Sequence, residues 1–365
     1  MLPSPDPIEA VSQRLDNFVG SQTRSSDEMG DEAGRFVDVS ADALRGGKRL
    51  RARFCLTGWR AVVEAGGRPA ASAPDGIIAA AASLEIFHAA ALVHDDIIDN
   101  SDTRRGRPAT HRALESVHRE SVWHGDAAAF GRSGAILLGD LLVAWSDDLL
   151  EEGLATRPPA AAASARAEYA RMRRDVTIGQ FLDIAEESAF VRQPDEHHAE
   201  RALRVASFKS ARYSIQQPLL IGAALGEADE AQHDALSAFG HPVGMAFQLR
   251  DDVLGVFGDA AVTGKPSGDD LREGKRTVLV AYAREGLSAG SRRVFDELIG
   301  DPTLDDEQIA SLQQTIVETG ALDRVEELIA DYARTADRAL SGARLGNAAV
   351  GELRDLARAA TTRSA

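Results

Sequence analysis

The stretch Ala89-Ala90-Ala91-Leu92-Val93-His94-Asp95-Asp96-Ile97-Ile98-Asp99 sets three carboxylates in an apolar run, and Asp102, Arg104 and Arg105 follow closely. Paired acids alone say little. Asp147-Asp148, Glu151-Glu152, Glu186-Glu187, Asp305-Asp306 and Glu326-Glu327 are pairs too, most of them read as solvated helix faces. What separates Asp95-Asp96 is that apolar residues precede the pair and fill the gap before Asp99. Carboxylates in such a setting are costly unless they meet a partner or a metal. On a helix Asp95 and Asp99 stand one turn apart on one face, with Asp96 alongside. The cluster repels itself unless a cation bridges it, so the motif calls for a divalent metal.

Asp251-Asp252 repeats the arrangement inside the apolar run from Gly244 to Phe257. For one pair a local cap or salt bridge would be the better reading; two pairs, each inside an apolar helix, favour a site between facing helices. Oxygen-only ligands suit hard cations, and Mg²⁺ takes one or two carboxylates while substrate phosphates complete its shell. A phosphorylated substrate between the two helices is expected.

The basic residues fit that substrate. Gly46-Gly47-Lys48-Arg49-Leu50-Arg51 is a cationic cluster ahead of a helical run, where Lys48 and Arg51 can hold a diphosphate. A basic first turn of a surface helix is the plainer alternative, although cations there oppose the helix dipole. Arg104 and Arg105 follow the first acidic motif, and Lys209-Ser210 opens a later segment. Lys265 and Lys275 follow the second motif. Gln180 and Asp183 share a helix face between the motifs, either as support for a bound cation or as an ordinary polar stripe.

The chain has 365 residues, with 41 basic against 57 acidic side chains and a net charge of −16. That balance argues against nucleic acid, which needs a broad basic surface, but not against a small diphosphate. Cys55 is the single cysteine, which excludes an intrachain disulfide and fits a cytoplasmic protein. The first residues lack the pattern of a secretory signal. The apolar run Ile77 to Val93 contains Glu85 and His88 and ends in aspartates, so it reads as a buried helix rather than a membrane span. Helical periodicity dominates and no strand pattern stands out. Helices are expected around 8–20, 27–45, 48–65, 74–99, 108–119, 132–151, 160–187, 196–225, 229–257, 275–286, 291–299, 305–319 and 321–341. One all-α domain over 1–365 is expected, an antiparallel bundle with its core at about 43–341. Residues 1–7 and 346–365 read as frayed, although 350–360 can form one more helix.

Taken in order, GGKRLR, HDDIIDNSDTRRG, GQFLD, KS, and QLRDD with GK and GKRT downstream resemble the polyprenyl synthetase family, the trans-isoprenyl diphosphate synthases. The resemblance covers about 43–283. It implies an all-α fold around a central cavity, a homodimer, and Mg²⁺-dependent head-to-tail joining of isopentenyl diphosphate to an allylic diphosphate. By the same resemblance Asp95 and Asp99, with Asp96 close by, hold Mg²⁺ on the allylic diphosphate, and Asp251 with Asp252 holds a further ion, three ions in all. Lys48, Arg51, His88 and Arg105 would bind isopentenyl diphosphate. Arg104, Lys209, Gln248 and Lys265, helped by Ser210 and Lys275, would bind the allylic diphosphate. The proton lost after coupling goes, in the family's chemistry, to the departing pyrophosphate. One position departs from the pattern: Gly255 stands where the second motif would carry its last carboxylate. A class I terpene cyclase or a non-catalytic partner subunit are the competing readings.

Product length is expected from the wall upstream of Asp95. Ala90 and Ala91 are small where bulky aromatics usually stop the family's product at fifteen carbons. The cavity is therefore expected to run past the farnesyl stage, with Phe87 as its floor at geranylgeranyl length and farnesyl or longer products as alternatives.

Overall fold

The computed structural model describes residues 6–68, 70, 72–258 and 267–361. The described chain is almost entirely helical: α1 Pro7–Ser26, α2 Asp31–Ala43, α3 Leu50–Ala65, α4 Asp75–Ile98, α5 Thr110–Glu120, α6 Ala127–Leu154, α7 Pro159–Ala189, α8 His198–Val205, α9 Gln217–Leu225 and α10 Glu230–Phe257. There follow α11 Asp269–Glu273, α12 Val278–Gly286, α13 Ala289–Leu298, α14 Asp306–Glu318, α15 Ala321–Leu340 and α16 Asn347–Thr361. A two-residue antiparallel ribbon, β1 Thr103–Arg104 with β2 Arg107–Pro108, is the one sheet among the described residues.

The helix ends follow their sequence signals. Asp229 and Asp305 each cap a helix reciprocally with a glutamine three residues on, and Asp126 accepts from Ala128 and Ala129 to start α6. The apolar helix α4 is buried nearly all round and packs against α1, α3, α5 and α6 in one core. A second core joins α8 and α10 to the C-terminal helices α11–α15, and a third joins α3, α9, α10, α15 and α16. The two acidic motifs thus sit on long helices anchored in packed interior.

Three features differ from the expectation. The tail is not frayed over 347–361: α16 buries Ala349, Leu353 and Ala360 against α3 and α10, and Thr57 and Arg60 bond Glu352, while residues 362–365 lie outside the described residues. Its apolar spacing over four turns supplies enough buried surface, roughly 2 kcal/mol for Leu353 alone, to hold it down. At the other end Pro7 already opens α1, while residues 1–5 lie outside the described residues. The helix expected over 196–225 is interrupted by a π-helical stretch, Ala206–Gln216, whose wider turn no periodicity count reveals.

Candidate functional site

On α4, buried over its first three turns, His88, Ala91, Leu92, Asp95 and the following Asp99 are partly exposed at the spacing of one helix face, while His94, Ile97 and Ile98 of the last turn are partly or fully exposed on another side. This strip faces α7 and the π segment, the other side of what we term the cleft, and the acids of the first motif divide across it. Asp95 faces the cleft. Asp99 caps α4, its N–H donating to the Asp95 carbonyl at 2.8 Å. Burial and the neighbouring Asp95 push its carboxyl up to about 6. Asp96 points the other way, 2% exposed. The ribbon folds back so that Arg104 Nε donates to Asp96 at 2.7 Å, and Arg104 Nη2 reaches Asp95 at 3.4 Å. Asp96 and Arg104, expected as metal and diphosphate ligands, thus engage each other, and the pair shapes the motif from behind.

The opposite wall is α7 and the π segment, which touch through glycine. A Cβ on Gly179 would stand 2.4 Å from the Lys209 backbone nitrogen, and one on Gly244 of α10 would stand 2.3 Å from the Ala211 carbonyl oxygen. Held between these contacts, the π segment aims Lys209 into the cleft. Its ammonium bonds Asp183 and stands 3.5 Å from Asp95 Oδ1. Gln180 Nε2 donates to the same Asp95 oxygen at 3.2 Å. Gln180 and Asp183 therefore support the acidic cluster rather than forming a solvated stripe. Glu187, which the sequence groups with the solvated pairs, is exposed one turn beyond Asp183, and partial desolvation with Asp183 and Asp99 pushes its carboxyl up to about 7. Ser210 is partly exposed beside Lys209.

On α10 the second pair divides as the first does: Asp251 is exposed and Asp252 is buried. Asp252 accepts from Gln248 Nε2 at 2.7 Å, and burial, followed by Asp270, pushes it up to about 8. As with Asp96, the second acid of the pair and the expected ligand Gln248 engage each other. Lys275 Nζ bonds Asp270 Oδ1 at 3.1 Å and pairs with Glu273. Its charge acts on both Asp99 and Asp252, so the two motifs meet around this ammonium. Lys265 lies outside the described residues.

The cationic end of the cleft gathers His88, Arg51 and Arg105. Tyr213, from the π segment, holds His88 Nδ1 at 2.6 Å through its hydroxyl, and Arg51 stacks 4.1 Å over its ring while donating to Ser214 at 2.9 Å. Burial first, then Arg51, Arg105, Arg104 and Arg49, holds His88 well below the usual imidazole range, so it is neutral. Gly47 brings its loop against the Arg105 guanidinium, 3.0 Å from where a Cβ would stand. Lys48 is exposed on that loop. Glu85 accepts from the Ala52 N–H at 2.9 Å and neighbours Arg49, which fixes the start of α3. Glu85 interrupts an apolar run, a signal visible in the sequence; Tyr213 gave none, because its place depends on the π turn.

Below this end Phe87 is buried, with the Tyr169 and Tyr213 rings each 6.1 Å away edge-on. The floor is thus aromatic on three elements. Ala91 lies on the open strip, but Ala90 is 1% exposed and packed in the interior. The expectation that both alanines line the cavity is corrected: five residues before Asp95 is 140° off its face.

Whether the site suits a divalent cation is tested by what fills it. The Lys209 ammonium stands between Asp95 and Asp183, and that of Lys275 between Asp270 and Glu273. Carboxylate oxygens are the donor type that suits Mg²⁺, but among the described residues no three of them stand together as a metal site; the two lysines pair with them instead.

A model of the polyprenyl synthetase family matches residues 35–316. The chain is 33% identical over 319 residues to the geranylfarnesyl diphosphate synthase of Aeropyrum pernix, covering 84% of this chain and 89% of that one. It is 30% identical to the short chain isoprenyl diphosphate synthase of Methanocaldococcus jannaschii, across 64% of this chain and 63% of that protein's length. Among solved structures, the geranylgeranyl pyrophosphate synthase of Corynebacterium glutamicum, complexed with isoprenyl diphosphate and magnesium, superposes with a TM-score of 0.90 at 38% identity over 98% of each chain.

Proposed function

The chain belongs to the polyprenyl synthetase family of trans-prenyltransferases, and from that premise we propose that it joins isopentenyl diphosphate head to tail to an allylic diphosphate, with geranylgeranyl diphosphate as the main product. The observation that carries this reading is the meeting of both acidic motifs around Lys209 and Lys275, beside a separate cationic end at Arg51, His88 and Arg105. Two anionic substrates need two such sites; a terpene cyclase needs one.

Asp95, Asp99 and Asp251 are the acids that would hold Mg²⁺, three ions with substrate bound. Ions held there would supply positive charge to the departing diphosphate. Lys209, released from Asp183, takes up a diphosphate oxygen, and Arg51 and Arg105 orient isopentenyl diphosphate with neutral His88 beside them. Tyr213 and Phe87 close the cleft against water. The departing pyrophosphate accepts the proton from the coupled product, so no protein base is assigned.

Product length rests on Ala91 leaving the wall open and on the Phe87–Tyr169–Tyr213 floor. The test is incubation with isopentenyl diphosphate, Mg²⁺ and separate C5, C10 and C15 primers. A C20 main product is expected; a C15 or C25 limit overturns the length, and no condensation with any primer overturns the synthase reading.

We further propose a cytoplasmic homodimer. Both α4 and α6 are long and apolar enough to cross a membrane by composition, but α4 is packed inside the fold. Helix α6 leaves Phe130, Ile136 and Leu137 exposed, and α7 leaves Ile178 and Phe181 exposed, an apolar face suited to a second copy. Leu137→Glu is expected to give monomers in sedimentation; an unchanged mass would move the interface elsewhere.

A further inference from the structure

Apart from the cleft, the fold encloses a cavity of about 180 Å³ between α7, the π segment, α9 and α10. That is several times the ~30 Å³ one water takes in the liquid. It shares no residue with the cleft, and Leu220 is its one apolar lining side chain. Arg171 of α7 and Arg212 of the π segment bring two guanidinium groups to it, and α10 brings the imidazoles of His233 and His241. No carboxylate lines it among the described residues. Two acids stand behind the guanidiniums without using them up. Arg171 pairs with Glu168 at 3.4 Å, and Arg212 donates to Asp175 at 3.4 Å and to Ser207 at 3.3 Å. A guanidinium carries five N–H donors, so most are left for a ligand.

Gln217 gives an independent sign of that ligand. It lines the cavity, is 2% exposed, and leaves its side-chain oxygen Oε1 without a hydrogen-bond partner. A buried polar atom in that state is costly unless something in the cavity meets it. Gln216 Nε2 donates to Ser237 Oγ at 2.9 Å, which leaves the Ser237 hydroxyl hydrogen to turn inward. Charged donors set around one amide acceptor match hydrogen phosphate, which offers three acceptor oxygens and one hydroxyl.

We propose that this cavity is a separate anion site that takes a phosphate-type oxyanion. It stands whether or not the cleft makes geranylgeranyl diphosphate. Arg212 and Gln216 belong to the segment that carries Lys209 and Tyr213, so an anion here ties down one wall of the cleft. Free phosphate and the pyrophosphate released by a prenyl coupling share this chemistry.

The test is equilibrium dialysis of the full chain, without metal, against labelled inorganic phosphate. Arg171→Gln and Gln217→Leu are each expected to weaken binding about ten-fold or more, the scale of losing one charge-assisted hydrogen bond. Lys209→Ala, in the cleft, is expected to keep it. Competition by pyrophosphate would make the reaction's product the source, and its exclusion would make the source free phosphate. Phosphate is also expected to raise the melting temperature of the unaltered chain by mass action but not that of Gln217→Leu. Arg171 is half-exposed, so its variant tests the site even where Gln217→Leu fails to fold. No phosphate retained by the unaltered chain, wild-type affinity in Arg171→Gln, or an equal loss in Lys209→Ala would each overturn the proposal.

Discussion

At the scale of single residues, the two acidic pairs obey one rule: the first acid is the more exposed and the second is buried. Asp95 is half-buried and meets Gln180 and Lys209 from the opposite wall, and Asp251 is exposed, whereas Asp96 is buried on Arg104 and Asp252 on Gln248. Asp95→Ala is therefore expected to lower kcat by about 10²–10³ or more, the scale of losing one electrostatic contact to a developing charge, with folding unchanged by circular dichroism. Retained turnover would remove Asp95 from the site. The same reasoning separates the alanines. Ala91→Phe puts a ring on the open strip and is expected to shorten the main product by at least one five-carbon unit. Ala90→Phe overpacks the interior and is expected to cost about 1–3 kcal/mol in a denaturant melt. Chromatography of the products decides: a shorter product from Ala90→Phe alone would reverse the assignment.

At the scale of elements, the π segment matters most for the site. It carries Lys209 and Tyr213, and so connects the metal end of the cleft with the cationic end. Its position depends on backbone contact with α7 at Gly179 and with α10 at Gly244. A methyl group at 179 meets backbone rather than a movable side chain, so the two elements must separate. Gly179→Ala is expected to destabilise the fold by about 1–3 kcal/mol and to raise KM for the allylic substrate several-fold by shifting Lys209. An unchanged KM beside a lowered melting temperature would show that the contact serves stability alone.

Across the whole molecule, burial first and neighbouring carboxylates second raise three acids of the site, a cost that the packed helices withstand. Asp99, Glu187 and Asp252 are pushed up to about 6, about 7 and about 8, from ordinary values of 3.8, 4.5 and 3.8. The folded chain therefore binds more protons than the unfolded chain between those values. The stability these groups confer is complete below about pH 4 and is lost as pH rises through 6 to 8. Between about pH 7 and 8.5, above the ordinary imidazole value, the depressed His88, His111, His198 and His241 no longer add a trend of the opposite sign. The metal-free protein is therefore expected to melt at lower temperature at about pH 8.5 than at about pH 7. Mg²⁺ with pyrophosphate is expected to flatten that slope and release protons on binding, seen as a binding heat that varies with buffer ionisation. A melting temperature that climbs over this range would contradict the raised values.

What could be read along the chain was what depends on neighbours in sequence. Apolar spacing marked the long helices, and the ordered motifs pointed to the family and to Asp95, Arg51, His88 and Lys209. Hydrophobic periodicity and one-turn spacing are local properties, so one strand of text contains them. The tertiary structure alone decided that Asp96 rather than Asp95 is the buried acid of the first pair, because Arg104 of the returning ribbon meets it there. It also decided that Ala90 is interior, that a π turn aims Lys209, and that Asp270 fills the space beside Gly255. Each of these is a contact between residues on different elements, fixed by packing and by close approach of backbones that no spacing along the chain encodes.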